Sequence, residues 1–390
     1  MTARRVGVNL AWLVPGVVGG SEEATTVAVA AAGDVVAAAG IEIVLFGLPA
    51  LRDAHPGLVG RFEFHEVAVD GANKVRRVLA ENTALARTAA AAGLDLMHHA
   101  GGVVPPGVKV PATLAVHDTQ PLDLPANFSL AKRLYLGRMI GRSVHRALAV
   151  AVPSAFVKSR VVAHTGVSPD RVTVVPWAAP AMPAPSPADV DAVRSRYGLE
   201  RPFVLYPAIA YVHKNHAVLL DAMSRLPELD LVLTGGPGPC DDEVRRRAAR
   251  PDLSGRVHVL GRVDRSDLAA LTAGARLVAV PSRYEGFGLP ALEAVVAGRP
   301  LVVADAGSLP EVADGAALVV PPDDVAGWAD ALHTAATDDA VRSRLVAAGV
   351  AVTASCTPER TGTALVDVWS RALRGLPAGH TTANPSERLP

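Results

Sequence analysis

Short apolar runs alternate with longer amphipathic or alanine-rich segments along most of the chain. Apolar runs of roughly four to eight residues are typical of buried strands, and the longer segments carry helix start and stop signals. This alternation predicts parallel sheets that are covered by helices on both faces. The predicted strands are Val6–Leu10, Ile41–Phe46, Phe62–Val69, Leu94–His98, Thr113–His117, Leu148–Val152 and Val172–Val175, then Phe203–Pro207, Asp230–Thr234, Val257–Leu260, Leu277–Pro281, Leu301–Ala304 and Ala317–Val320.

The predicted helices of the first half begin and end at recognisable signals. One runs from Ser21, a good N-cap, to Gly40, and the others are Lys74–Ala92, Ser129–Arg146 and Ser154–Thr165. Ala178–Ala188 contains four prolines and no periodicity, which indicates a stiff linker. We therefore predict two Rossmann-like α/β domains facing across a cleft, at residues 1–180 and 188–356, followed by a terminal helix at 357–373 and a disordered tail at 374–390.

Composition narrows the class of protein. The chain has 390 residues, of which 38 are basic and 38 acidic, so it lacks the basic excess of a general nucleic-acid binder. The hydrophobic share of 50% excludes a disordered chain, yet no apolar run reaches the roughly 18 residues of a spanning helix. Only Cys240 and Cys356 occur, which is typical of a reducing cytoplasm. We expect a cytoplasmic protein.

The apolar stretch Val6–Val18 follows Arg4 and Arg5 and superficially resembles a short signal peptide. Pro15 and several glycines interrupt it, however, and no small-residue cleavage motif follows. A buried first strand with a glycine-rich turn is the better interpretation.

The strongest chemical signal is the segment from Glu285 to Glu293, which follows a strand and opens a helix at Pro290. Two carboxylates bracket a glycine turn that consists of Gly286, Phe287, Gly288 and Leu289. Glycine amides and a helix N-terminus favour an anion such as a diphosphate, and the carboxylates suit sugar hydroxyls. The alternative is a helix cap with two solvated glutamates.

A second signal, His213-Lys214-Asn215-His216, follows the strand Phe203–Pro207. Only five of the 38 basic residues are lysines, and Lys214 is the only lysine of the second half. A compact ammonium at a strand end suits phosphate binding. Taken without the other signals, a solvated surface lysine is the better interpretation.

Two weaker signals lie in the first half. His117-Asp118 also follows a strand, where the imidazole suits a sugar hydroxyl or proton transfer, although a core histidine beside a turn-forming aspartate is an equal alternative. The loop Pro15–Gly20 lacks the G-x-G-x-x-G spacing of dinucleotide sites, but its glycines permit close approach of a phosphate. His98 and His99 would point to opposite faces of a strand, so we expect no metal site.

The helix 129–146 carries five cations against a row of apolar residues. It is expected either to lie on an anionic membrane, at its inner face, or to pack on the sheet with one solvated basic face; the second is the simpler interpretation.

Together these features resemble the retaining glycosyltransferases of family 4, which have the GT-B fold. The likeness extends over about residues 6–373 and is most specific in residues 203–325. The segments that carry it are Asn215–Ala222, Pro281–Pro290 and Ser308–Val312.

The resemblance implies a role for each of these residues. Lys214 and His213 would bind the donor diphosphate, Glu293 the ribose, and Gly261 would flank the base. Glu285 and the Gly286–Leu289 backbone would hold the donor sugar, His117 would contact it from the first domain, and Gly19 and Gly20 would approach the diphosphate and acceptor. His117, Lys214 and Glu285 would be the catalytic group, and the family transfers its sugar without a metal or other cofactor.

Two departures from the family pattern affect the donor site. The family usually has arginine where His213 stands, and glycine where Ala208 stands. The remaining pattern is most similar to the mannosyltransferase-like branch, which implies GDP-mannose as donor and a glycan, a lipid-linked sugar or a small molecule as acceptor. A nucleotide-sugar epimerase of related shape and a two-lobed sugar-binding protein are the alternatives.

Overall fold

The computed structural model describes residues 3–69, 73–179 and 184–376. They form two compact units, one of Met1–Ala178 with Pro358–Pro390 and one of Ala179–Thr357. The helix predicted at 357–373 is present and belongs to the first unit.

The first unit contains a seven-stranded parallel sheet. Its strands are β1 (Arg4–Asn9), β2 (Ile41–Gly47), β3 (Glu63–Glu66), β4 (Leu96–His99), β5 (Ala112–Ala115), β6 (Ala149–Val152) and β7 (Val172–Val174). Its described helices are α1 (Gly20–Val35), α2 (Pro49–Ala54), α3 (Pro56–Val59), α4 (Lys74–Asn82), α5 (Ala84–Ala91), α6 (Gln120–Asp123), α7 (Leu130–Arg146), α8 (Ala155–Thr165) and α17 (Pro358–Arg374), with 3₁₀ segments at Val36–Ala39, Pro125–Asn127 and Pro169–Arg171.

The second unit contains a six-stranded parallel sheet. Its strands are β8 (Phe203–Pro207), β9 (Asp230–Thr234), β10 (Val257–Gly261), β11 (Leu277–Val280), β12 (Leu301–Ala304) and β13 (Ala317–Val320). Its described helices are α9 (Pro187–Arg196), α10 (His216–Met223), α11 (Asp241–Ala248), α12 (Arg265–Gly274), α13 (Leu289–Val296), α14 (Leu309–Ala313), α15 (Val325–Thr337) and α16 (Asp339–Ser355), with a 3₁₀ segment at Val212–Lys214.

Strand order places a crevice in each sheet. The first runs β3-β2-β1-β4-β5-β6-β7 and the second β10-β9-β8-β11-β12-β13. In each, the order reverses beside the first strand, between β1 and β4 and between β8 and β11, where Val204 pairs with Leu277. Ligands of such sheets bind outside the carboxyl ends of the strands at this reversal. Loops that follow β8 and β11 are therefore the natural site of the second unit.

Helix α17 completes the core of the first unit by packing against α1. A Cβ on Gly362 would stand 2.5 Å from the backbone carbon of Ala31, so the two helices approach too closely for any larger residue. Trp369 is fully buried in the same core, and the Thr361 hydroxyl donates to Pro176 O at 2.8 Å. The last described helix of the chain therefore completes the hydrophobic core of the first unit.

Three predicted elements of the first unit were wrong in extent. The continuous helix Lys74–Ala92 is broken at Thr83, where the Asn82 and Thr83 side chains donate back to carbonyls of the preceding turn. The strand predicted at Phe62–Val69 is reduced to β3, which pairs with one neighbour only. The strand predicted at Thr113–His117 ends at β5, which leaves His117 in the following loop. Linker residues 180–183 and tail residues 377–390 lie outside the described residues.

Candidate functional site

The second unit brings Lys214 and Glu285 together at its crevice. Lys214 follows β8, Glu285 follows β11, and Lys214 Nζ donates to Glu285 Oε1 at 2.7 Å. The two side chains are only 18% and 11% exposed, so water screens this ion pair less than a surface pair. The ammonium is held at the strand ends with one carboxylate as its partner, which leaves further donor capacity for an incoming anion.

A buried hydrogen-bond network fixes the backbone of Lys214. The Tyr206 hydroxyl donates to Lys214 O at 2.8 Å and lies 3.1 Å from the Ser282 hydroxyl. Asn215 adopts a left-handed conformation (φ 56°) and donates from Nδ2 to Pro322 O at 2.7 Å. Burial and the nearby Glu285 carboxylate raise the pKa of Tyr206, so its hydroxyl stays protonated as a donor. These hydrogen bonds fix the backbone from which the lysine side chain extends, and the sequence analysis assigned no role to Tyr206 or Ser282.

The predicted glycine turn forms the N-terminus of α13. Gly288 caps this helix with a positive φ of 91°, a conformation that favours glycine, and its carbonyl accepts from Ala291 N at 2.9 Å. Phe287 and Leu289 are buried, while Gly286 is half-buried. The turn presents backbone rather than side chains beside Glu285.

The carbonyl of Glu285 is held by a neighbouring loop. Ser308 donates to Glu285 O from its hydroxyl at 3.1 Å and from its backbone N at 3.2 Å. A Cβ on Gly307 (φ 62°) would stand 2.6 Å from the same oxygen, so this loop requires glycine. Gly307 lies one residue before the family-like segment Ser308–Val312. Glu293, half-buried, lies in the second turn of α13.

The histidines beside Lys214 are uncharged at neutral pH. Burial and the neighbouring ammonium lower the pKa of His213 to about 4, and burial is also the main cause that lowers the pKa of His216 to about 4. The His213 ring stacks on Tyr211 with centroids 5.7 Å apart. Lys214 is therefore the charged member of this basic pair.

Gly261, the last residue of β10, and Gly235, which follows β9, bring two backbone segments together. Gly261 has a φ of 70°, and its carbonyl accepts from Gly235 N at 2.8 Å. A Cβ on Gly235 would stand 2.5 Å from Ala208 O. Because Gly235 has no side chain, its backbone packs closely against Ala208, the position at which the family that the sequence resembles usually has glycine.

In the first unit, the His117 ring lies between two indoles. Its centroid is 5.3 Å from that of Trp12 and 5.4 Å from that of Trp177, and Nε2 donates to Ala100 O at 2.6 Å. Burial lowers the pKa of His117 to about 4. The ring is consequently neutral, with its proton on Nε2, and Nδ1 is the nitrogen that accepts. Trp12 and Trp177 carried no signal that sequence reasoning used.

The polar residues near His117 form hydrogen bonds within the first unit. Asp118 Oδ1 accepts from Gln120 N at 2.9 Å and so forms the turn that the simpler interpretation gave it. His98 lies 3.0 Å from the Thr113 hydroxyl, and its ring packs on Trp369. His99 accepts from Asn9 Nδ2 at 3.2 Å.

The glycines before α1 are held by a carboxylate that the sequence analysis missed. Gly19 caps α1 with a φ of 71°, and no atom lies within 4 Å of the position that its Cβ would take. The Glu22 carboxylate accepts from Gly16 N and from His55 Nε2, both at 2.8 Å. Glu22 therefore ties the glycine loop, which leads into Gly20, to the first turn of α1.

Two neighbouring helices of the first unit expose apolar side chains. The C-terminal half of α7 packs as the simpler interpretation predicts, with Ile140 and Val144 buried, but its N-terminal half leaves Leu130 and Leu134 more than 60% exposed. On α4, Val75 and Leu79 are exposed to a similar degree. We call the residues 74–79 and 130–138 the α4–α7 surface; its exposed cations are Lys74, Arg76, Lys132, Arg133 and Arg138.

Two kinds of feature are absent from the described residues. No group of three His, Cys, Asp or Glu side chains in that part of the chain is arranged to hold a metal ion. No helix there is both long and apolar enough to cross a membrane.

Models of known protein families match both units of the chain. The family model for group 1 glycosyl transferases matches residues 201–338, and the model for glycosyltransferase family 4 matches residues 26–179. O-antigen chain mannosyltransferase B of Escherichia coli is 31% identical over 264 residues, 66% of this chain and 69% of that protein. D-inositol 3-phosphate glycosyltransferase of Xylanimonas cellulosilytica is 34% identical over 61% of this chain, and MMP α-(1→4)-mannosyltransferase of Mycolicibacterium hassiacum 34% identical over 50%. The matches span 62% and 47% of those two relatives.

Solved structures share the fold. Sucrose-phosphate synthase from Thermosynechococcus elongatus superposes with a TM-score of 0.75 at 20% identity, covering 96% of this chain and 100% of that one. Anabaena HepE in complex with UDP and glucose gives a TM-score of 0.75 at 19% identity, covering 94% and 100%. With the two parallel sheets, these likenesses confirm the predicted fold class.

Proposed function

Because the chain belongs to the family 4, group 1 glycosyltransferases, we propose that it transfers a hexose, in the first instance mannose, from a nucleoside diphosphate sugar to an acceptor hydroxyl. Configuration at the anomeric carbon is retained, and no metal ion takes part. The observation that carries the proposal is the Lys214–Glu285 pair at the crevice of the second sheet. GDP-mannose is the preferred donor because two of the relatives named above are mannosyltransferases.

Lys214 and the N-terminus of α13 bind the donor diphosphate. The ammonium and the helix dipole together supply positive charge where a negative charge develops as the diphosphate leaves. His213 is neutral, so Lys214 is the charged side chain of the clamp. This charge takes the part that a divalent cation plays in other transferases.

The transfer proceeds by front-face attack. The acceptor oxygen bonds to the anomeric carbon on the face from which the diphosphate departs, and the bond from that carbon to the phosphate oxygen breaks. The acceptor proton passes to the departing phosphate oxygen. No enzyme nucleophile is required, and the protein acts by position and charge.

The remaining site residues orient the two parts of the donor. Glu285 and the backbone of Gly286–Leu289 hold the sugar, Glu293 accepts from the ribose hydroxyls, and Gly261 flanks the base. His117 Nδ1 accepts a hydrogen bond from a hydroxyl of the donor sugar, because Nε2 already donates its proton to Ala100 O.

A donor panel tests this function. Purified protein is incubated with GDP-mannose or UDP-glucose and with lipid-linked, glycan or small-molecule acceptors, while released nucleoside diphosphate and the product anomer are measured. We expect turnover with GDP-mannose, a retained anomer, and activity unchanged by a chelator. An epimerised donor without acceptor would instead favour the epimerase, and binding of free sugar without turnover would favour a sugar-binding protein.

For the α4–α7 surface we propose contact with an anionic membrane, which would bring a lipid-linked acceptor to the first unit. The exposed apolar side chains suit the headgroup boundary, and the surrounding cations suit anionic lipid. Burial is the main cause that lowers the pKa of Lys132, and the nearby ammonium of Lys74 lowers it further, so the two helices present one positive field.

Vesicle co-sedimentation tests this contact. We expect binding to phosphatidylglycerol vesicles but not to phosphatidylcholine vesicles, and loss of binding in the Leu130→Ser, Leu134→Ser double variant. Val319→Ser, which changes an exposed apolar residue of β13, is the matched control. Equal binding by all three proteins, or none by the wild type, contradicts the contact.

A further inference from the structure

A groove of about 790 Å³ crosses the amino-terminal edge of the second sheet. Arg276 directly precedes β11 and Arg299 precedes β12, so this edge lies opposite the strand ends that carry the proposed donor site. Arg194 of α9 and Arg342 of α16 complete its basic lining. Pockets of about 300–1,000 Å³ are the size that accepts small molecules.

The groove arginines bond mainly to backbone carbonyls. Arg276 Nε donates to Ala336 O at 2.6 Å, and Arg299 Nη1 donates to Ala273 O at 2.9 Å. These carbonyls lie in the last turns of α15 and α12, where a helix carries about half a negative charge. Capping of the helices therefore offsets only part of the arginine charge.

Carboxylates offset little of the arginine charge that remains in the groove. Among the residues described by the structure, Arg342 is the one groove arginine with an ion-pair partner, the highly exposed Asp339. Of the groove's lining residues that the structure describes, Glu200 is the one with an acidic side chain. Burial lowers the pKa of Arg299, and no carboxylate opposes that shift. An arginine cluster with this surplus of charge is unfavourable unless an anion joins it.

We infer that this groove binds a small phosphorylated molecule, whose phosphate ester or diphosphate is held by Arg276 and Arg299. The planar guanidinium matches two phosphate oxygens at once, and both terminal nitrogens of Arg276 lack a partner among the described residues. Val346 and Val350 of α16 line the groove and are 37% and 70% exposed, which suits the apolar part of the ligand. Because the groove is on the opposite sheet edge, its ligand does not compete with the nucleotide.

Isothermal titration with inorganic pyrophosphate, in the presence of saturating GDP, tests the site. We expect one binding event in the wild type and at least tenfold weaker binding in Arg276→Gln. Arg276→Lys should bind with intermediate affinity, because lysine keeps the positive charge but lacks the planar guanidinium that matches two phosphate oxygens. Arg225→Gln removes an exposed arginine outside the groove and should bind like the wild type. Thermal unfolding of each variant checks that the second unit is folded.

The outcome separates this site from the proposed donor site. Pyrophosphate binding that survives in Lys214→Ala and weakens in Arg276→Gln supports the groove, even if no donor is turned over. Binding that is lost in Lys214→Ala and unchanged in Arg276→Gln places the anion at the donor site and overturns the inference. Absence of binding in the wild type overturns it too.

Discussion

At the scale of residues, the second unit concentrates its chemistry on one lysine in an arginine-rich chain. Lys214 is half of a largely buried pair with Glu285, and the hydroxyl of Tyr206 fixes its backbone. A sequence pattern was enough to single out both charged residues. The support from Tyr206 and Ser308 was not predictable, because neither the tyrosine in a strand nor the serine in a loop has a spacing that reports its hydrogen-bond partner.

Replacing Lys214 by alanine should reduce kcat/KM for the donor by roughly a hundredfold or more, since a charge that stabilises the leaving group is lost. Steady-state assays of nucleotide release measure the effect, and circular dichroism checks the fold. Lys109→Ala, at an exposed lysine, is the matched control. A Lys214→Ala variant with normal kcat/KM would remove the basis of the proposed donor site.

Replacing His213 by arginine should lower the donor KM by roughly tenfold, about 1.4 kcal/mol. The native imidazole, with a pKa of about 4, contributes no charge at neutral pH, whereas a guanidinium adds a permanent one beside Lys214. Donor titrations at pH 7.5 measure the change. His213→Gln, which is neutral like the native ring, should keep the native KM; a similar value in the arginine variant would show that this position does not reach the diphosphate.

At the scale of elements, local sequence determined the second unit more completely than the first. The strands Phe203–Pro207, Asp230–Thr234, Leu301–Ala304 and Ala317–Val320 form as predicted, because each is a short, mainly apolar run between turn residues. The break at Thr83 depends on back-bonding by side chains that a helical pattern also tolerates. The packing of α17 on α1 joins segments more than three hundred residues apart, which periodicity cannot report.

Enlarging Gly362 tests that packing. Gly362→Leu should lower the free energy of unfolding by about 1–3 kcal/mol, because its side chain would overlap the α1 backbone at Ala31. Urea denaturation provides the measurement. Thr363→Leu, at the next and exposed position of α17, should change stability by less than about 0.5 kcal/mol. Equal effects of the two substitutions would mean that the helices do not approach closely here.

At the scale of the whole molecule, buried neutral histidines are unevenly shared between the two units. Burial lowers the pKa of His98 and His99 to about 3 and that of His117 to about 4 in the first unit. His213 and His216, both with a pKa of about 4, are the second unit's counterparts. The first unit also contains Glu81, whose pKa is raised to about 7 by burial, so protonation of this carboxyl favours folding and opposes part of the effect of the histidines.

Protonation of the buried histidines should destabilise both units as the pH falls from 7 to 5. Between the unfolded pKa of about 6.5 and the folded values of about 3 to 4, the unfolded chain binds protons that the folded chain does not, so stability falls as the pH falls through this range. Hydrogen exchange at pH 7 and pH 5, resolved by peptide, measures each unit. His333→Gln, at an exposed histidine, should leave the profile unchanged. Protection that is as high at pH 5 as at pH 7 in both units would contradict the prediction.

Because α17 packs in the first unit, the order in which the chain is synthesised affects how that unit folds. The second unit is continuous in sequence, so it can fold as soon as it leaves the ribosome, whereas the first must wait for a helix synthesised some two hundred residues later. Because more than three hundred residues separate α1 from α17, the face of α1 that receives α17 stays uncovered for roughly 16 to 65 s at about 5–20 residues per second. During that interval the apolar residues that surround Trp369 in the finished core are exposed, so the half of the chain that is translated first is the more prone to aggregate.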